Sequence, residues 1–156
     1  MESKVQQLDN YVNFSLGNEY FGIKVSKVLE VLENENINKV PEAPDNVLGV
    51  VNFRGDIIPV IDLNKRFKIK PNEKLPGVII ILDLHIAEEK LLVGIKVDRV
   101  MGVAEIQTKD VRNAPEVGIS FNPKFIDGMV HYDERVLLLI NPDLLVSREE
   151  ISEIEE

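Results

Sequence analysis

The sequence predicts an all-β chain of two small barrels, and three observations predict it. The heptapeptide Gly22-Ile23-Lys24-Val25-Ser26-Lys27-Val28 returns at Gly94-Ile95-Lys96-Val97-Asp98-Arg99-Val100, with five of seven positions identical. The stretch from Gly49 to Asp62 then aligns without a gap on Gly128 to Asn141, so two echoes recur in the same order at offsets of 72 and 79 residues. The apolar residues fall in strand-length runs bounded by turn residues. The chain reads as two copies of one half-unit, residues 10–76 and 77–146, within a single domain spanning 1–156. Half-units of about 75 residues bury little surface alone, so the two should pack through an apolar seam.

Each element follows from local pattern. Val12, Phe14 and Leu16 alternate with polar residues, Gly17-Asn18-Glu19 turns, and Tyr20 to Val25 returns as a hairpin partner. Ser26 is positioned to cap one helical turn, and Glu30 to Glu33 resumes as strand. Val40-Pro41-Glu42-Ala43-Pro44 is a rigid connector, since each Pro fixes its own φ and biases the preceding residue to extended backbone. A short helical turn from Asp45 is expected to end at Gly49. Val50 to Phe53 and Ile57 to Ile61 form a hairpin around Arg54-Gly55-Asp56. Pro59 inside the second run suggests an edge strand or a bulge. Asp62 caps a short helix to Phe67, and the polar stretch Lys68 to Gly77 is the internal boundary. In the second copy, Val78 to Leu84 and Leu91 to Val97 pair across a longer loop, Ile86 to Lys90. Val103 to Ile106 is a short strand, Thr108 caps a turn, and 112–122 is a loop. Pro123 to Ile126 mirrors the short turn before Gly49, Met129 to Tyr132 and Val136 to Asn141 form the last hairpin, and Pro142 to Val146 starts a final helix.

Composition limits the function. The net charge is −9, and Glu149, Glu150, Glu153, Glu155 and Glu156 supply five of those charges, leaving −4 for residues 1–148. An acidic surface does not suit nucleic acid, which requires basic groups to displace counterions, nor an anionic membrane. With no Cys, disulfide, thiolate and Cys-metal chemistry are excluded. The longest apolar run, Val78 to Leu82, is too short to span a bilayer, and the N-terminus carries no signal segment; a cytoplasmic chain is expected. No phosphate loop, helix-borne His pair or nucleophile elbow is present. His131 falls in a strand opposite Asn52 of the repeat and reads as structural, and His85 as a surface residue. Asp56, Asp62 and Asp98 read as turn or cap residues. No cofactor or metal is called for, and nothing assembles a nucleophile, base and orienting group; an enzyme would need a dispersed site. The acidic tail 147–156 reads as solvated.

The stretch Asn52-Phe53-Arg54-Gly55-Asp56-Ile57-Ile58-Pro59-Val60-Ile61-Asp62-Leu63 follows Val40-Pro41-x-Ala43-Pro44-x-x-Val47-x-Gly49. Together with the opening Phe14 to Ile23 and the Ala114-Pro115-Glu116 loop, it resembles the CheW family of bacterial chemotaxis coupling proteins, from about Asp9 to Val146. The CheW-like regulatory domain of the kinase CheA and the coupling half of CheV are the competing relatives. A chain ending soon after Val146 leaves no room for a kinase or receiver domain, which favours a stand-alone coupler. The resemblance implies two SH3-like five-stranded barrels with a shared core, bridging a chemoreceptor's cytoplasmic tip to CheA. It implies receptor contacts at Val28, Glu30, Val31 and Arg54 beside a groove between the barrels. Kinase contacts are implied at Val40, Pro41, Ala43, Pro44, Leu48 and Val117. Without the resemblance, Arg54 would read as a solvated turn charge, and Val28 and Val31 as core. Phe53 stands where many relatives carry Leu. The expected mechanism is an amphipathic receptor helix lying in the groove, with homologous barrels of CheA meeting the barrel ends.

Overall fold

The computed structural model describes residues 7–33, 36–114, 123–147 and Glu150. Strand β1 (Leu8–Leu16) and β2 (Glu19–Lys24) form an antiparallel hairpin. A single 3-10 turn, Val25–Lys27, leads into β3 (Val28–Glu33). Then come β4 (Val47–Phe53), β5 (Asp56–Asp62) and the one-turn helix α1 (Leu63–Phe67). The second copy supplies β6 (Val78–Ile86), β7 (Glu89–Val97), β8 (Arg99–Gln107), β9 (Ile126–Tyr132) and β10 (Arg135–Ile140). Short 3-10 turns sit at Thr108–Asp110, Pro123–Phe125 and Pro142–Leu144.

Two five-stranded sheets result, ordered β8-β1-β2-β10-β9 and β3-β6-β7-β5-β4. Replacing each strand by its counterpart five positions along the chain turns one order into the other. The register repeats too: Leu139 of β10 lies opposite Gly22 in parallel pairing, and Val60 of β5 lies opposite Gly94.

The division expected between residues 76 and 77 separates the two copies but not the two sheets. Each sheet takes its first two strands from one copy and its other three from the other copy. The cause is the join between second and third strands. Lys24 and Val28, flanking the three-residue turn, are both extended, so the chain is not reversed onto β2 and runs on into the other sheet. A single residue, Asp98, makes the same join between β7 and β8.

Each sheet curls shut through an isolated bridge. Asn38 and Val50 exchange two backbone hydrogen bonds of 2.8 Å, and Arg112 and Met129 exchange bonds of 2.9 and 2.8 Å. The repeat-related glycines 49 and 128 permit these closures. A Cβ on Gly49 (φ 151°) would lie 2.2 Å from the Asn38 carbonyl oxygen, and one on Gly128 would lie 2.5 Å from a Val111 methyl and 2.9 Å from the Arg112 oxygen.

Several local expectations are corrected. Strand β5 is interior, between β4 and β7, so Pro59 is not on an edge. Val50, opposite Pro59, spends its N–H and C=O on Asn38, and the parallel pairing with β7 begins only at Val60. Neither neighbour therefore needs the N–H that Pro59 lacks. The β6–β7 loop is two residues, Ala87 and Glu88, both with positive φ (51° and 66°). That is the backbone of a primed hairpin turn, whose usual Asn-Gly signature is missing here. The Thr108 hydroxyl donates to the Gln7 carbonyl at 3.0 Å instead of capping its turn. Residues 45–46 make a simple turn before β4, and the helix expected from Pro142 is one 3-10 turn. Asp62 does cap α1, accepting from the Lys65 N–H.

The seam is the main core. Val12, Phe14, Leu16, Phe21, Ile23, Ile80, Leu82, Ile95 and Leu138 are among the buried residues of one cluster drawn from both sheets. Phe14, Phe21, Phe67 and Phe125 run through it with ring centroids 5.4 to 5.6 Å apart. The alternate strand faces fill the barrels: Tyr11, Ile106, Val130 and Leu137 in one, Val51, Phe53, Ile58 and Ile81 in the other. Strands buried on both faces explain the near-continuous apolar runs of β6 and β10.

Candidate binding surfaces

The pseudo-symmetry creates two equivalent places where the chain crosses from one barrel to the other, and the sequence treats them differently. At the β7–β8 crossing, Asp98 is buried; its carboxylate accepts from the Gly17 N–H at 2.7 Å and the Asn72 N–H at 2.9 Å. Its own N–H donates to the Ser15 carbonyl at 3.1 Å. The linker after α1 is thereby held across this crossing, and Ile69 packs on the shared core beside Gly17.

At the β2–β3 crossing the equivalent residue is Ser26, and among the described residues no linker strand is held there. Lys27 instead reaches Asp143 at 3.2 Å, and Asp143 also accepts from the His85 N–H at 3.1 Å. This ties the crossing to the Pro142–Leu144 turn. Within two residues of that ion pair, Val25, Leu29 and Leu144 remain 38%, 41% and 46% exposed. Apolar side chains are costly to leave in water, so of the two crossings this mouth of the seam is the candidate docking surface.

Val28 and Val31 line the same strand. Both are half-buried and pack against the shared core. In a regular strand, positions three apart face opposite ways; here the register shifts between Val28 and Glu30, and that extra residue turns both valines inward and Leu29 outward. Glu30 projects toward the β4–β5 turn, where Arg54 (φ 52°) donates to its carboxylate at 3.3 Å and lies over the Phe53 ring, 4.7 Å from its centroid. The structure thus brings Glu30 and Arg54 together, with Val28 and Val31 on the same strand as Glu30.

The other sequence-derived residues gather elsewhere. The connector is less extended than expected: Glu42 has φ 59°, and the Ala43 and Val47 N–H groups close turns onto the Val40 and Pro44 carbonyls at 3.3 and 2.9 Å. Val40, Ala43, Pro44 and Leu48 are half-buried and Pro41 is exposed. Ala43 packs on the seam core and Leu48 on the core of its own barrel. Val117 lies outside the described residues.

Sequence reasoning missed Val25, Leu29, Leu144 and a further pair, Ile57 and Val136, exposed by 66% and 42%. These last two occupy equivalent positions in the repeat, each the second residue after a hairpin turn at the tip of its barrel. The differing pair Ser26 and Asp98 was the available signal for the open crossing. The pKa of Tyr11 is raised by burial and then by the charges of Asp9 and Asp127, and that of Asp127 is raised by burial against the pull of Lys24; neither group lies in the open crossing or at the barrel tips.

The CheW-like domain family matches residues 10–150. The chain belongs to the CheW-like domain family. The chemotaxis protein CheW of Klebsiella aerogenes is 32% identical over 91% of this chain and 84% of its own length. That of Treponema pallidum is 32% identical over 92% of this chain and 85% of its own length. The crystal structure of the scaffolding protein TtCheW from Thermoanaerobacter tengcongensis superposes with a TM-score of 0.80 at 32% identity, covering 96% of this chain and 95% of that one. The two curled sheets are the paired SH3-like barrels expected of a CheW-like chain. Among the described residues, no helix is long and apolar enough to cross a membrane.

Proposed function

We propose that this CheW-like chain is a non-catalytic adaptor of chemotaxis, working in the cytoplasm to couple a chemoreceptor's tip to the regulatory domain of CheA. The observation that carries the reading is the asymmetry of the two crossings. One is filled by the Asp98-held linker, and the other keeps Val25, Leu29 and Leu144 exposed beside Val28 and Val31. An amphipathic receptor helix would lay its apolar face there, with the Glu30–Arg54 pair at the border offering charged partners to its polar side. CheA would be met by the connector Val40, Pro41, Ala43 and Pro44 with Leu48, by the loop of Val117, and by the barrel tips at Ile57 and Val136. The chemotaxis and scaffolding roles printed for its relatives support the same assignment.

The mechanism needs no bond chemistry. A receptor conformation that binds the groove more tightly changes the free energy of the assembly in which CheA is held, and the coupling is reciprocal. A pulldown with a receptor signalling fragment and CheA tests the reading: the chain should bring the two together, and failure to bind either would refute it.

A further inference from the structure

In an acidic chain, one surface is basic. Lys65, Arg66, Lys68, Lys70 and Lys74 fall within ten residues against a single acid, Glu73. They belong to α1 and the linker after it. Beside α1 a shallow groove of about 310 Å³ has Ile69 and Pro71 as apolar floor and Lys65, Lys68 and Lys70 around it. Asp62, the one acidic residue of that groove, is engaged in capping α1.

Glu150 is brought to this helix. Leu145 and Val146 are buried in the shared core. Ser147 and Glu150 then form a reciprocal capping box: the Glu150 N–H donates to the Ser147 hydroxyl at 3.2 Å, and the Ser147 N–H donates to the Glu150 carboxylate at 3.0 Å. The other carboxylate oxygen of Glu150 accepts from the Arg66 guanidinium, and both side chains are mostly buried, at 17% and 16% exposure. Burial disfavours the Glu150 charge, yet the hydrogen bonds from Arg66 and Ser147 and the charge of Arg66 outweigh it and hold the carboxyl below its usual range.

We propose that the acidic segment 149–156 is an intramolecular strap for the basic face of α1 and its linker, anchored at Glu150 on Arg66. Charge complementarity names the occupant: Glu153, Glu155 and Glu156 follow the anchor within six residues, and six residues reach about 20 Å when extended, against about 8 Å for a five-residue helix. Each exposed pair is weak, and their sum is screened by salt. The strap therefore yields to ionic strength or to a more acidic partner, and such a partner gains this face only by displacing it. The inference is independent of the adaptor reading.

The test compares the whole chain with one ending at Glu150, by amide NMR and by titration with hexaglutamate. Removing residues 151–156 should shift the Lys65, Lys68 and Lys70 resonances, and salt at about 0.5 M should produce the same shifts in the whole chain only. Hexaglutamate should bind the shortened chain at least about threefold more tightly, because the tethered segment no longer competes. With Lys68→Glu and Lys70→Glu in place, shortening should leave Lys65 unmoved. Resonances that move only beside Ser147 and Glu150, or equal hexaglutamate affinity for both chains, overturn the proposal; the second result would make the face a site for an external acidic partner.

Discussion

Replacing Gly49 by Ala tests how the barrel built on β3-β6-β7-β5-β4 is closed. The new Cβ would lie 2.2 Å from the Asn38 carbonyl oxygen and 2.8 Å from its carbon. Asn38 must withdraw by about 1 Å or more to reach an ordinary contact, and the reciprocal 2.8 Å bonds to Val50 cannot survive that movement. Two lost backbone bonds cost about 1 kcal/mol each, and an Ala held at the 151° φ of Gly49 adds about 1 to 2 kcal/mol of strain. The sum is about 3 to 4 kcal/mol, a large share of the 5 to 15 kcal/mol typical of a domain. Gly102→Ala is the control. Its φ is 141°, but nothing lies within 4 Å of the added carbon, so only the strain of about 1 to 2 kcal/mol remains. Urea denaturation of both variants reads the difference directly. Equal losses for the two would refute the argument that close approach to Asn38, and not backbone conformation alone, fixes glycine at position 49.

Four further outcomes are expected. Arg54→Ala should weaken receptor binding while calorimetry shows a loss of stability below about 1 kcal/mol, since its pair with Glu30 is exposed by 68% and 41%. Leu29→Asp should raise the Kd for a receptor fragment by about a hundredfold, roughly 3 kcal/mol for a charge set under an apolar helix, with melting nearly unchanged; it is a cleaner probe than Val28, whose contact with the core would also be disturbed. Glu150→Gln should lower stability near neutral pH. The Glu150 carboxyl is depressed in the folded state, so its contribution is full above the unfolded value of about 4.3 and disappears as pH falls through the lower folded value; the wild-type advantage measured by denaturation should shrink below pH ~4. A fragment of residues 1–76 should not fold, because it holds two strands of one sheet and three of the other, and the whole chain should unfold in one transition.

The all-β class, the paired architecture and the apolar seam were legible because the repeat preserves residues with fixed steric jobs. Gly22 and Gly94 sit opposite Leu139 and Val60 in matching registers, and Gly49 and Gly128 close matching barrels. The exchange of the last three strands of each copy between the sheets was not legible. It depends on the backbone direction through Val25–Lys27 and at Asp98, and neither stretch carries a Gly or Pro to mark it. The Ala87-Glu88 turn was hidden for the same reason. Among site residues, the pairing of Glu30 with Arg54 was not marked in the letters, and Leu29 could not be found from alternation, because the shifted register between Val28 and Glu30 breaks the period of two. Ile57 and Val136 read as ordinary strand residues; their exposure follows from standing at barrel tips, beyond the packed layers. The Ser147-x-x-Glu150 capping box was present in the letters and was obscured by the acidic run around it.

The central claim is that the two partners use separate surfaces, and amide chemical-shift mapping with each partner in turn tests it most directly. A receptor signalling fragment should perturb Val25, Val28, Leu29, Val31, Arg54 and Leu144. The CheA regulatory domain should perturb the Val40 to Pro44 connector, Leu48 and the tips at Ile57 and Val136, and each set should persist when the other partner is added. If both partners perturb one shared patch and displace each other from it, the chain cannot bridge them and the adaptor account is wrong.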